Sequence, residues 1–95
     1  MGTVGVLIMQ LRLEHAHSLK DKRQVVRSLK DRLRQKFNVS VAEIDCQELW
    51  QRALIAAVTI SNDRSHAEQS LQSVEQEAAG LLGPMLVECQ VEWLS

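Results

Sequence analysis

His17-Ser18-Leu19-Lys20-Asp21-Lys22-Arg23 opens the stretch that decides the fold, which continues through Val25, Val26, Leu29, Leu33 and Phe37 to Asn38-Val39-Ser40-Val41-Ala42-Glu43. Ser18-Leu19-Lys20-Asp21 has the S-x-x-[DE] spacing in which a hydroxyl and a carboxylate satisfy the free amides of a helix start. A helix is therefore predicted from about Leu19 to Lys36. At about 100° per residue, Leu19, Val26, Leu29, Leu33 and Phe37 share one stripe with Val25 on its margin, so the helix packs by that stripe. Asn38 ends it, and Val39 to Ile44 alternates with Val39 and Val41 on one side, as a short strand does.

Outward from this stretch the same grammar repeats. Thr3 to Leu13 carries Val4, Val6 and Ile8 on one face and Leu7, Met9 and Leu11 on the other, a strand buried on both sides in its first part. Ala53 to Ile60 is likewise apolar on both faces, a central strand. Ser65-His66-Ala67-Glu68 has the capping spacing again, and Ala67, Leu71, Val74, Ala78 and Leu82 follow as the apolar stripe of a second helix. Gly80, Gly83 and Pro84 punctuate its end. Met85, Val87, Cys89, Val91 and Trp93 then alternate with Glu88, Gln90 and Glu92, an edge strand with one wet face.

The predicted order is βαββαβ over one domain, residues 1–95: an α+β, ferredoxin-like four-stranded antiparallel sheet with both helices on one face. Right-handed crossovers place the first and third strands in the middle. The sheet's open face then has a central apolar strip, and a second protomer is the economical cover, so a homodimer is expected.

With 45% hydrophobic residues the chain is too apolar for disorder, and it has no apolar run long enough for a membrane helix. The expected setting is a reducing cytoplasm, since Cys46 and Cys89 form no C-x-x-C, no secretory signal is seen, and Met-Gly is followed by Val6 where myristoylation needs Ser or Thr. The net charge of −1 conceals a polarised chain. Eight of the 11 Lys and Arg residues lie between Lys20 and Lys36, giving that segment +6 and the remainder −7. Such asymmetry bears on partners more than on fold.

Arg23, Arg27, Lys30 and Arg34 form a basic stripe on one flank of the first helix, with Arg32 and Lys36 on the other. Guanidinium groups suit phosphate, so the stripe is a candidate RNA- or anion-binding surface. Asp31 is spaced to pair with Arg27 and Arg34, and a self-paired, solvated face is the competing reading. Lys20, Lys22 and Arg23 stand in the first turn, where the helix dipole disfavours cations; with the free amides and His17 they could hold a phosphate. Lys22 lies on the apolar side of the wheel, so its stem could instead cross the core edge and its ammonium pair with an acid from the sheet.

His15 and His17 have H-x-H spacing but no third and fourth ligand nearby, and no metal or other cofactor is expected. Arg52 is placed to pair with Glu43, and Trp50 to plug the end of the core or a dimer seam. The G-x-G-x-x-G, P-loop and nucleophile motifs are absent, so no catalytic residue is assigned. Neither central strand carries a Phe or Trp on which a base could stack, which leaves any RNA contact helix-led and electrostatic; no DNA partner and no membrane are expected.

The blocks His17-Ser18-Leu19-Lys20-Asp21-Lys22-Arg23, Phe37-Asn38-Val39-Ser40-Val41-Ala42-Glu43, Trp50-Gln51-Arg52-Ala53 and Ser61-Asn62-Asp63 occur in an order that closely resembles the YlxP-like family of small bacterial proteins of unknown function. The resemblance implies a ferredoxin-like fold, a bacterial cytoplasmic location, and an association by gene neighbourhood with translation and ribosome maturation; it implies no catalytic residues. The expected function is a non-enzymatic accessory protein that binds RNA or a ribosomal particle through His17, Lys20, Lys22, Arg23, Arg27, Lys30 and Arg34. The alternative is a homodimeric protein-interaction module without nucleic-acid binding. A third reading, an enzyme, would use an anion cradle near His17 and Arg23 for acid–base work.

Overall fold

The computed structural model describes residues 2–95. Its elements are β1 (Thr3–Arg12), α1 (Leu19–Lys36), β2 (Ser40–Asp45), β3 (Arg52–Ser61), α2 (Arg64–Leu82) and β4 (Leu86–Trp93), with a 3-10 turn at Gly83–Met85. The order is βαββαβ and the strands lie β2-β3-β1-β4, antiparallel throughout, so the two apolar strands are central as expected.

α1 begins as its sequence dictates: the Ser18 hydroxyl accepts from Asp21 N at 3.1 Å, and the Asp21 carboxylate accepts from His17 N at 2.9 Å. α2 does not. Its cap is Asp63, whose carboxylate accepts from Ser65 N at 3.0 Å, and Ser65 is already inside the helix. An aspartate beside free amides also answers the positive end of the helix dipole, which makes it a better cap here than the serine two residues on.

The core lies between helices and sheet. Leu7, Met9 and Leu11 of β1 and Ala53, Ile55 and Ala57 of β3 meet Val26, Leu29 and Leu33 of α1 and Leu71, Val74 and Ala78 of α2, all buried. Gly5 marks a close approach in this layer. A Cβ there would stand 2.6 Å from the Trp93 ring and 2.9 Å from Leu71 Cδ1, so the indole packs on β1 only because residue 5 has no side chain.

Each edge strand contains a bulge. Glu43 pairs with Ile55 and Asp45 with Leu54, leaving Ile44 as the extra residue; Glu88 pairs with Gln10 and Leu86 with Leu11, leaving Val87 as the extra one. The second bulge corrects the expected alternation of β4, because Leu86 packs against the core and Val87 is 48% exposed. On the face without helices, Val4 pairs with Ile60, Val6 with Val58 and Ile8 with Ala56, forming the anticipated apolar strip. Glu92, Gln90 and Glu88 border it along β4, and Ser40 and Ala42 along β2.

Candidate nucleic-acid interface

Packing divides the cations of α1 into three groups. Lys22 is one of the most buried side chains, 1% exposed, beside Val26 and Leu29 on the core-facing stripe. Its Nζ lies 2.7 Å from Glu43 Oε2 of β2, donates to Leu49 O at 2.7 Å and also donates to Cys46 O. Glu43 Oε2 accepts no aligned hydrogen bond and serves as a counter-ion. This corrects two expectations: Lys22 is not part of an accessible anion site, and Glu43 pairs with Lys22 rather than Arg52. Once an ammonium is carried into the core edge it requires both charge and acceptors, and β2 with the following loop supplies them.

Arg32 and Lys36, on the flank toward α2, are spent on that helix. Each stands 3.0 Å from a carboxylate oxygen of Glu77. The hydrogen bond from Lys36, then that from Arg32, hold the Glu77 carboxyl below the usual carboxylate range.

The third group is the candidate interface. Lys20, Arg23, Arg27 and Arg34 are exposed and Lys30 is half-buried. Among the described residues none of these five lies within 4.0 Å of a carboxylate; Asp31 neutralises neither Arg27 nor Arg34. Arg34 instead donates from Nη2 to Val41 O at 2.7 Å, fixing the stripe beside the β2 edge. Arg23 to Arg34 spans three turns, about 16 Å of helix. His17 is exposed just before α1, its amide already used by Asp21.

A second feature was missed by reasoning from sequence. Where β1 ends and the β2–β3 loop returns, an open cleft of about 780 Å³ is lined by Arg12, Glu14, Glu48, Leu49, Trp50 and Arg52 among others. Trp50 is 51% exposed. It stands half in solvent and does not plug the core, whereas Phe37 and Trp93 are partly buried against it. The signal available in the sequence was an aromatic in a polar turn two residues before an arginine; only strand register shows that Arg52 faces Arg12.

The fold has relatives among solved structures. A designed protein, Foldit4, superposes with a TM-score of 0.62 at 12% identity, covering 100% of this chain and 98% of its own. A dimeric ferredoxin-like protein of unknown function from Thermobifida fusca YX gives 0.51 at 14% identity, covering 97% of this chain and 91% of its own. At such identities the likeness is one of fold. In sequence, the uncharacterized protein YlxP of Bacillus subtilis (strain 168) is 42% identical over 59 residues, 62% of this chain and 64% of that protein, so the match spans less than two thirds of the relative. No described helix is long and apolar enough to cross a membrane. The family model described as "Protein of unknown function (DUF503)" matches residues 4–90, nearly the whole chain, and this protein therefore belongs to the DUF503 family, with YlxP among its relatives.

Proposed function

We propose that this protein binds RNA or a ribonucleoprotein surface through the exposed cations of α1, as a non-enzymatic accessory factor of ribosome assembly or translation in the cytoplasm. One observation carries the reading: Arg23, Arg27, Lys30 and Arg34 line one flank of a single helix without an acidic partner among the described residues, whereas the cations on the opposite flank are neutralised by Glu77. Unpaired guanidinium groups held on a rigid helix keep their full attraction for phosphate, and their repulsion is relieved when phosphate arrives. Both cysteines are free thiols, in keeping with a reducing compartment.

The test is a fluorescence-anisotropy titration with ribosomal RNA fragments at two salt concentrations. Binding is expected, weakening steeply with salt and lost in Arg23→Glu/Arg27→Glu, whose side chains make no ion pair among the described residues that the substitution would break. Absence of binding, or binding indifferent to that pair, overturns the reading.

The uncovered apolar strip favours a second reading that stands with or without the first: a homodimer closed through the open sheet faces. Ile60, 65% exposed at its end, is an unusual surface residue unless covered. Light scattering at micromolar concentration tests it, with a strict monomer as the overturning result.

A further inference from the structure

We infer that the cleft around Trp50 is a stacking site for an unpaired RNA base, which continues the basic stripe of α1 onto the end of the sheet; the inference rests on the RNA reading above and specifies the strand type. Trp50 is the first reason. The chain has three aromatic residues, and the other two, Phe37 and Trp93, pack against the core, with Arg64 lying 3.8 Å from the Trp93 ring centre. Trp50 is left half in solvent on a loop that is not free to collapse. Lys22 holds the carbonyls of Cys46 and Leu49 from inside, while Gln51 holds those of Glu14 and Ala16 at 3.3 and 3.4 Å. An indole presented by a pinned loop loses little freedom when a base stacks on it, which is what a single-strand platform requires.

Arg12 and Arg52 are the second reason. They are direct partners across β1 and β3, a like-charge juxtaposition that costs stability, and neither has an ion pair among the described residues. Gln10, with its amide turned to suit its neighbours, accepts from Arg52 Nη2 at 3.2 Å and so orients that guanidinium without discharging it. A phosphate approaching the pair relieves the repulsion.

Glu14 and Glu48 in the same cleft argue against a free anion as the occupant. Their carboxylates repel phosphate but accept hydrogen bonds from the exocyclic amines of bases, so the mixed cleft suits a nucleotide whose base lies on Trp50 and whose phosphate lies toward the arginines. Lys22 of the first turn of α1 fastens the Trp50 loop and directly precedes Arg23, so the loop and the start of the basic helix lie at the same end of the molecule.

The experiment uses the full chain and a fluorescein-labelled single-stranded RNA 12-mer, alone or annealed to its complement, at low salt. Trp50→Ala is expected to weaken single-strand binding about 5- to 100-fold, the range one stacked base provides, with duplex affinity unchanged. Trp50→Phe should retain most of the affinity, and Arg12→Ala should weaken it without touching the ring. If Trp50→Ala binds the single strand as the wild type does while Arg23→Glu/Arg27→Glu does not, the stacking site is overturned and the basic stripe stands. If Trp50→Ala changes only the oligomeric state by light scattering, the cleft is a protein contact and the inference is likewise overturned. A wild type that binds neither RNA removes the RNA reading and the stacking site together.

Discussion

Nζ of Lys22 lies 2.7 Å from Oε2 of Glu43, so the beginning of α1 is fastened to β2 by a buried ammonium rather than offering that charge to solvent. The same ammonium satisfies two carbonyls of the β2–β3 loop. Lys22→Met is expected to destabilise the fold by about 2–4 kcal/mol, because it leaves Glu43 half-enclosed without a counter-charge and the loop carbonyls without a donor. Urea denaturation measures this. Lys22→Met/Glu43→Leu should recover part of the loss, and a single substitution without effect would show that the pair does not hold the loop.

On the proposed RNA reading, salt dependence separates the cations that would meet phosphate from those engaged within the protein. Each phosphate contact to a single strand contributes about −0.7 to the slope of log K against log salt. Arg27→Ala should therefore flatten the slope by about 0.7, and Arg32→Ala, whose charge is engaged by Glu77, should flatten it less.

Gly5→Ala tests the close approach of β1 and Trp93. The added methyl would stand 2.6 Å from the ring and 2.9 Å from Leu71, so either the indole or the strand must move. A loss of about 1–3 kcal/mol is expected, together with a shift in the Trp93 emission measured in a Trp50→Phe background.

The Glu77 bridge has a defined pH window. Its carboxyl titrates below its ordinary range in the folded protein, chiefly through the hydrogen bond from Lys36 and then that from Arg32. Its stabilisation is complete above the unfolded carboxylate pKa and is lost as pH falls through the lowered folded value. The difference in Tm between wild type and Glu77→Gln should thus be open at neutral pH and close on acidification; a gap independent of pH would show that charge at Glu77 plays no part.

Cys89 should be a poor nucleophile. Burial, with the fields of Glu75 and Glu88 adding to it, pushes its thiol up to about 11, so the thiolate is scarce at neutral pH. In Cys46→Ser, iodoacetamide should alkylate the folded protein slowly near neutrality and faster as the pH approaches 11. Rapid neutral labelling would contradict the burial.

The parts legible in the sequence are those governed by neighbours along the chain. Ser18 and Asp21 stand at capping spacing whatever surrounds them, and the periodicity of Leu19 to Leu33 demands a buried stripe, so α1 ends up where the residues alone put it. The central strands were equally plain, since Leu7, Met9 and Ile55 alternate with a second apolar set. Bulges were not legible. Val87 and Leu86 are both apolar, and which of them faces the core depends on where β1 and β4 slip in register, a matter of pairing across the sheet.

The candidate site divides in the same way. Composition and spacing alone established that the charge is gathered on one helix and that Arg23, Arg27, Lys30 and Arg34 share a flank, because helical geometry is local. Tertiary structure decided which cations remain available: Lys22 was taken by Glu43, Arg32 and Lys36 by Glu77, and the other five were left without an ion pair among the described residues. It also set Arg12 opposite Arg52 beside an exposed Trp50. Neither outcome can be read from spacing, since the partners of a long charged side chain are separated from it by tens of residues in the chain and by only a few ångströms across the packed layers.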